Sequence, residues 1–366
     1  MMKFKQQLKG LQAYKPGRTM DEVKKQFGLQ EVIKLASNEN PYGSSPKVRE
    51  ALAGASLDFA LYPDGYASSL REAVAAHLSV KPEQLIFGNG SDEVILLVTR
   101  ALLSPEVNSV GAAITFSQYA HNARIEGSPY IAVPLKEDGS HDLDAMLEKV
   151  TEETAVVWIC NPNNPTGTLT PSREIYQFLK KVPNDVLVVL DEAYYEYVSS
   201  EDYEESLSWI QQFPNLLILR TFSKAYGLAA FRVGYGVGSE EVVQQLEPTR
   251  EPFNNTSISQ VAAQVALADQ QFIKHTIEQN EKGKQQYIEF CKEHKLRYYP
   301  TETNFILIDI EQDSDEAFQY LMSKGYIIRS GNALGLPGTI RITIGTKEQN
   351  EGLLRELLHL VSKEKV

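Results

Sequence analysis

Six short apolar runs, separated by stretches of helical period, constrain this chain more than any other feature. They are Leu85–Phe87, Ser109–Ala113, Ala155–Cys160, Val186–Leu190, Leu216–Leu219 and Arg232–Tyr235. Several are continuous rather than alternating, as strands are when helices cover both of their faces. Asp92–Leu103, Leu143–Val150 and Arg173–Lys181 supply helical patterns between them. The alternation implies an α/β fold with a mainly parallel sheet wrapped by helices. At 366 residues the chain is long enough for two domains.

From about Ser257 the texture changes. A long helical pattern runs towards Phe290, and short strands at Phe305–Asp309, Tyr326–Arg329 and Ile340–Ile344 then alternate with helices ending near Leu360. The expected organisation is an N-terminal arm over residues 1–35, a large domain over 36–252 and a smaller α+β domain over 253–366. Glu251-Pro252-Phe253-Asn254 marks the junction.

The formal net charge of −12 disfavours nucleic acid or an anionic membrane as partner. It does not disfavour a small anionic substrate, which responds to local cations in a cleft. The N-terminal residues lack the apolar core of a signal peptide, and no apolar run reaches the length of a membrane span. Two cysteines cannot make a disulfide framework, and the six histidines show no metal-ligand spacing. A cytoplasmic protein without a metal site is expected.

The chemistry concentrates in four strings. Thr221-Phe222-Ser223-Lys224-Ala225-Tyr226-Gly227 sets one lysine among hydroxyls and small residues, directly after an apolar run. A lysine there can lose its charge and act as nucleophile and base; a solvated surface lysine is the alternative. Asp191 ends the run Val186–Leu190, where a carboxylate points into the crevice at the C-terminal edge of a parallel sheet. It can accept from a pyridinium N–H, or simply cap a helix. Tyr194, three residues on, can donate to a ring oxygen or pack in the core.

The third string, Asn161-Pro162-Asn163-Asn164-Pro165-Thr166-Gly167, is a stiff turn that can fix the Asn164 amide as a second donor. Gly88-Asn89-Gly90-Ser91-Asp92-Glu93 opens a helix whose first N–H groups form an anion corner. Thr221, Ser223 and Arg232 can complete it, although a structural ion pair would equally occupy Arg232. Phe116 can lie against a flat ring or belong to the core. Taken together, the strings offer an amine, a carboxylate, ring-oxygen donors and a phosphate cup, the requirements of pyridoxal 5'-phosphate.

These motifs, spread over nearly the whole chain, resemble the fold-type I pyridoxal-phosphate-dependent aminotransferases of class II, and among them the histidinol-phosphate aminotransferase family. Ala36-Ser37-Asn38-Glu39-Asn40-Pro41-Tyr42-Gly43, Tyr62-Pro63-Asp64-Gly65-Tyr66 and Arg341-Ile342-Thr343-Ile344-Gly345 match as well. The resemblance implies that Lys224 carries the cofactor, Asp191 partners its pyridine nitrogen, and Asn164 and Tyr194 hold its ring oxygen. It places Ser91, Asp92 (through its backbone), Thr221, Ser223 and Arg232 around the phosphate, with Phe116 where many relatives have tyrosine. Tyr62 matches a tyrosine that reaches the cofactor phosphate of a neighbouring subunit, which implies a homodimer.

Arg329 and Arg341 fall on adjacent strand patterns, and two cations suit a phosphomonoester better than one. The resemblance has both bind the substrate, with Tyr14 from the arm and Asn38. The expected reaction is transamination of L-histidinol phosphate with 2-oxoglutarate to imidazole acetol phosphate and L-glutamate. An aromatic amino-acid aminotransferase and a threonine-phosphate decarboxylase would share the site. A pyridoxal-phosphate-sensing regulator would need a DNA-binding module, and no basic segment of that kind is present.

Overall fold

The computed structural model describes residues 2–11, 17–55, 57–58 and 60–362. Its strands in chain order are β1 (Ile33–Lys34), β2 (Leu85–Gly88), β3 (Asn108–Ala112), β4 (Tyr130–Val133), β5 (Thr154–Cys160) and β6 (Leu187–Asp191). They continue as β7 (Leu216–Thr221), β8 (Gly234–Val237), β9 (Phe305–Asp309), β10 (Tyr326–Ile327), β11 (Arg329–Ser330) and β12 (Thr339–Thr343). Seven form the main sheet in the order β2-β8-β7-β6-β5-β3-β4. Only β8 runs antiparallel to its neighbours, β2 and β7. The fold is the α/β arrangement expected from the apolar runs.

Two hydrophobic cores make those runs continuous. Val157, Ile159, Val188, Leu190 and Ile218 face one core. Val156, Trp158, Val189, Leu217 and Leu219 face the other. Successive side chains of a strand point to opposite faces, so both faces of β5, β6 and β7 are buried under helices. The parallel strands β5, β6 and β7 deliver Cys160, Asp191 and Thr221 to one edge, with Cys160 registered to Asp191.

Local deviations from the expected pattern have plain causes. β4, an edge strand, is the apolar run Tyr130-Ile131-Ala132-Val133, only partly buried and not among the six runs read as strands. β8 begins at Gly234 rather than Arg232, because Arg232 adopts a left-handed conformation with φ 54°. The pattern after Ser257 is two helices, Ser257–Ala268 and Gln270–His294. They break at Asp269, whose carboxylate accepts from Ser45 Oγ at 2.5 Å and pairs with Lys47 Nζ at 3.0 Å. The first helix buries Ala262, Ala263 and Ala266 against the main-sheet core. The second carries Tyr287, Phe290 and Cys291 into a separate core.

That third core lies on the antiparallel sheet β11-β12-β9. β1 pairs in parallel with β10, so the segment leading to residue 36 is fastened to this C-terminal sheet region. A capping box at Thr19 and Glu22 starts the helix Met20–Phe27, and Val23 from that helix is buried with Met322 and Ile327.

Candidate active site

A cavity of about 700 Å³ opens where the C-terminal edge of the main sheet meets the three-stranded sheet. Lys224, three residues beyond β7, lines it. Its Nζ donates to the backbone carbonyl of Ser37 at 3.3 Å and stands 5.6 Å from the centre of the Tyr194 ring. The side chain is half-buried, facing the cavity. Burial, reinforced by the nearby Arg341 charge, lowers its ammonium to about 8, against the pull of Asp92 and Glu39. A lysine with a readily accessible neutral form is what amine chemistry requires.

Asp191 closes β6 on the cavity wall. Its Oδ2 accepts from the hydroxyl of Tyr119 at 2.6 Å, and its Oδ1 accepts from the Ala193 N–H at 3.2 Å. Burial pushes the carboxyl up to about 6; the Tyr119 hydrogen bond opposes the shift, while the charge of Asp92 adds to it. Tyr119 is fully buried, stacked on Trp158 with centroids 4.9 Å apart and edge-on to Phe116 at 5.7 Å. Phe116 itself lines the cavity.

The string from Gly88 to Glu93 opens a helix beside the cavity. The helix Ser91–Leu102 follows Gly90, and no side chain caps its first turn. Gly90 sits at φ 80°, and a Cβ there would come within 2.5 Å of Arg232 Nη2, so glycine lets the guanidinium approach. Arg232 donates to Ser223 Oγ at 3.4 Å and to the carbonyl of Asn89 at 3.4 Å. Thr221 Oγ1 accepts from the Ser223 N–H at 3.1 Å, which fixes the two hydroxyls together. The Asp92 carboxylate pairs with Arg232 at 3.3 Å, so an incoming phosphate would compete with it.

Across the cavity, the register of β11 and β12 sets Arg329 directly opposite Arg341. Directly opposite residues of an antiparallel pair share one face. Both arginines line the cavity. Arg341 donates to Asn164 Oδ1 at 2.5 Å and to the carbonyl of Ala36 at 2.7 Å. Asn38, buried with φ 57°, donates from Nδ2 to the Tyr194 hydroxyl at 2.9 Å. It also accepts from Thr343 Oγ1 at 3.2 Å and, through its carbonyl, from Asn304 Nδ2 at 2.9 Å. Burial raises the Tyr194 phenol, so it stays protonated and can donate.

One expected residue lies elsewhere. Tyr62 is outside the cavity of its own chain, 82% exposed and stacked on Phe253 at 4.7 Å. Tyr14 falls outside the described residues. Sequence reading missed Tyr119, although it stands three residues after Phe116, and missed the carbonyls of Ala36 and Ser37 that engage Arg341 and Lys224. Among the described residues no group of His, Cys, Asp and Glu is placed to hold a metal ion. Nor, among the described residues, is any helix long and apolar enough to cross a membrane.

The donor set fits a flat, phosphate-bearing pyridine aldehyde. An amine, a buried carboxylate that accepts hydrogen bonds, two ring-oxygen donors and a glycine-opened anion corner converge on one cavity. The family described as aminotransferase class I and II matches residues 30–357. The histidinol-phosphate aminotransferase of Lysinibacillus sphaericus is 57% identical over 365 residues, with 100% of both chains covered. That of Bacillus subtilis strain 168 is 56% identical over 360 residues, covering 98% of this chain and 100% of its own. Among solved structures, Sinorhizobium meliloti histidinol-phosphate aminotransferase in complex with pyridoxal-5'-phosphate is similar with a TM-score of 0.90. It is 27% identical and covers 99% of this chain and 98% of its own.

Proposed function

This chain belongs to the class I and II aminotransferases, and we propose that it transfers the amino group of L-histidinol phosphate to 2-oxoglutarate, giving imidazole acetol phosphate and L-glutamate in histidine biosynthesis. The observation that carries the substrate reading is the pairing of Arg329 with Arg341 on one cavity wall. A phosphomonoester is close to dianionic and takes two guanidinium groups, whereas one suffices for an α-carboxylate. 2-Oxoglutarate places its carboxylates against the same cations.

Pyridoxal 5'-phosphate is the cofactor in this reading, and when bound it supplies an electron sink for charge developing at the substrate Cα. Lys224 anchors it and afterwards carries the Cα proton as a general base and acid. Asp191 keeps the pyridine nitrogen protonated, while Asn164 and Tyr194 hydrogen-bond the ring oxygen and Phe116 covers the ring. Ser91, the Asp92 backbone, Thr221, Ser223 and Arg232 hold the phosphate. Asn38 fixes Tyr194 and stands at the substrate side, where the resemblance also puts Tyr14.

The active assembly is a homodimer in which Tyr62 serves the neighbouring subunit's phosphate. Its exposure, and its absence from its own chain's cavity lining, support that role. Half-reaction rates with several amino donors test the substrate assignment. Histidinol phosphate should exceed phenylalanine in kcat/KM, and threonine phosphate should release no carbon dioxide. Preference for phenylalanine, or decarboxylation, would replace this reading with one of its two rivals.

A further inference from the structure

We infer that Tyr119 is a positioning residue for the reaction, holding Asp191 in the orientation and ionised state in which it keeps the proton on the cofactor ring nitrogen. The inference rests on the assignment of Asp191 as partner of that nitrogen. Its geometric basis is independent of that assignment. The Tyr119 hydroxyl donates to Oδ2 at 2.6 Å, a length typical of a charge-assisted bond, while Oδ1 is steadied by the Ala193 N–H at 3.2 Å. The tyrosine has no freedom to turn away. Its ring lies parallel to Trp158, with 9° between planes, and meets Phe116 edge-on at 80°.

The surroundings make this bond matter. Asp92, from the helix Ser91–Leu102, and Glu192, next in the chain, both push protons onto Asp191 by charge, and burial does so more strongly. Cys160 on β5 and Tyr194 also face the carboxylate, and burial keeps both protonated and uncharged. Tyr119 is the largest influence favouring the anion, followed by the Ala193 N–H. Removing its hydroxyl leaves desolvation and two like charges weakly opposed, so the proton shared with a ring nitrogen moves towards the carboxylate. Tyr119 and Phe116 enter the site from the same short stretch, so the ring's cover and the carboxylate's donor are set by one piece of backbone.

The test uses the full-length protein reconstituted with pyridoxal 5'-phosphate carrying ¹⁵N in its ring. In the wild type the nitrogen resonance should sit at the protonated position at pH 7.5. Tyr119→Phe should move it towards the unprotonated position and shift the acidic limb of the single-turnover profile upward by about one pH unit, a tenfold change in the proton equilibrium. Asp191→Asn is the control. If Asp191→Asn moves the resonance and Tyr119→Phe does not, the inference falls and the Asp191 assignment stands. If neither moves it, both fall. Should Tyr119→Phe not fold, 3-fluorotyrosine at position 119 keeps the shape with a stronger donor. It should shift the acidic limb of the single-turnover profile downward, opposite to Tyr119→Phe, and an unmoved limb would overturn the inference.

Discussion

Arg341 on β12 donates through Nη1 to the side-chain oxygen of Asn164, tying the three-stranded sheet to the turn that follows β5. The two residues are 177 positions apart in the chain. One contact therefore couples a proposed substrate cation to a proposed cofactor ligand. Asn164→Ala should weaken both functions together. Loss of a hydrogen bond to a charged group is worth about 1.5–3 kcal/mol, so kcat/KM should fall roughly ten- to a hundredfold. Cofactor titration of the apoenzyme should show a parallel loss; unchanged cofactor affinity would separate the two roles.

Lys224 should be the labelled residue when the holoenzyme is reduced with borohydride and its peptides are mapped. Lys224→Ala should lose on the order of 10²–10⁴ in rate from the missing proton transfer alone. In the apoenzyme its amine should react with an aldehyde reagent with a midpoint near pH 8. Arg341 helps to lower that value, so Arg341→Ala should raise the midpoint; a fall would contradict the electrostatic account.

Asp191→Asn should slow the single-turnover step far more than it weakens cofactor binding, because Lys224, Arg232 and the anion corner remain. The apoprotein offers a second readout. Burial raises this carboxyl from 3.8 to about 6, so the folded state holds its proton to a higher pH than the unfolded state. The stability it contributes is full below about pH 4 and is lost as the pH rises through about 6, an effect of about 3 kcal/mol. Apo Asp191→Asn should therefore melt above the wild type at pH 8, with the difference narrowing as the pH falls to 5.

Arg329→Ala should damage turnover of histidinol phosphate more than that of phenylalanine. Removing one partner of a buried charge pair costs roughly 2–5 kcal/mol, or tens- to thousands-fold in kcat/KM. Equal losses with the two donors would leave Arg329 with a carboxylate-binding or structural role.

Tyr62→Ala and Lys224→Ala, each nearly inactive alone, should complement when their subunits are mixed. An isologous two-fold dimer of the two variants contains one intact composite site and one doubly damaged site. Activity per heterodimer should approach half that of the wild type. Heterodimers verified by mass that stay inactive would place Tyr62 outside the neighbour's site.

The sequence revealed the main sheet because β5, β6 and β7 are buried on both faces, which leaves uninterrupted apolar runs at Val156–Ile159, Val188–Leu190 and Leu216–Leu219. β4, the apolar run Tyr130–Val133 between Pro129 and Pro134, was legible and was passed over, whereas the break at Asp269 escaped because no glycine or proline marks it and its partner Ser45 lies 224 residues away. The site divided in the same manner. Lys224, Asp191 and the Gly90–Asp92 corner are local strings whose chemistry can be read in order. The Tyr119–Asp191 hydrogen bond joins residues 72 apart through side chains alone, and a tyrosine in a helix gives no sign of where its hydroxyl will end.

The carbonyls of Ala36 and Ser37 give the cavity an internal standard. Each neighbours one of the two cations, Arg341 and Lys224, and accepts its hydrogen bond. An anion that takes the Arg341 donor from Ala36 therefore gains only the difference between its own bond and the one it displaces. Weakly basic or singly charged oxygens gain little from that trade, whereas a phosphate dianion or a dicarboxylate gains at several donors at once. The Ala36 peptide group thus acts as a threshold at Arg341 against which an anionic substrate is weighed.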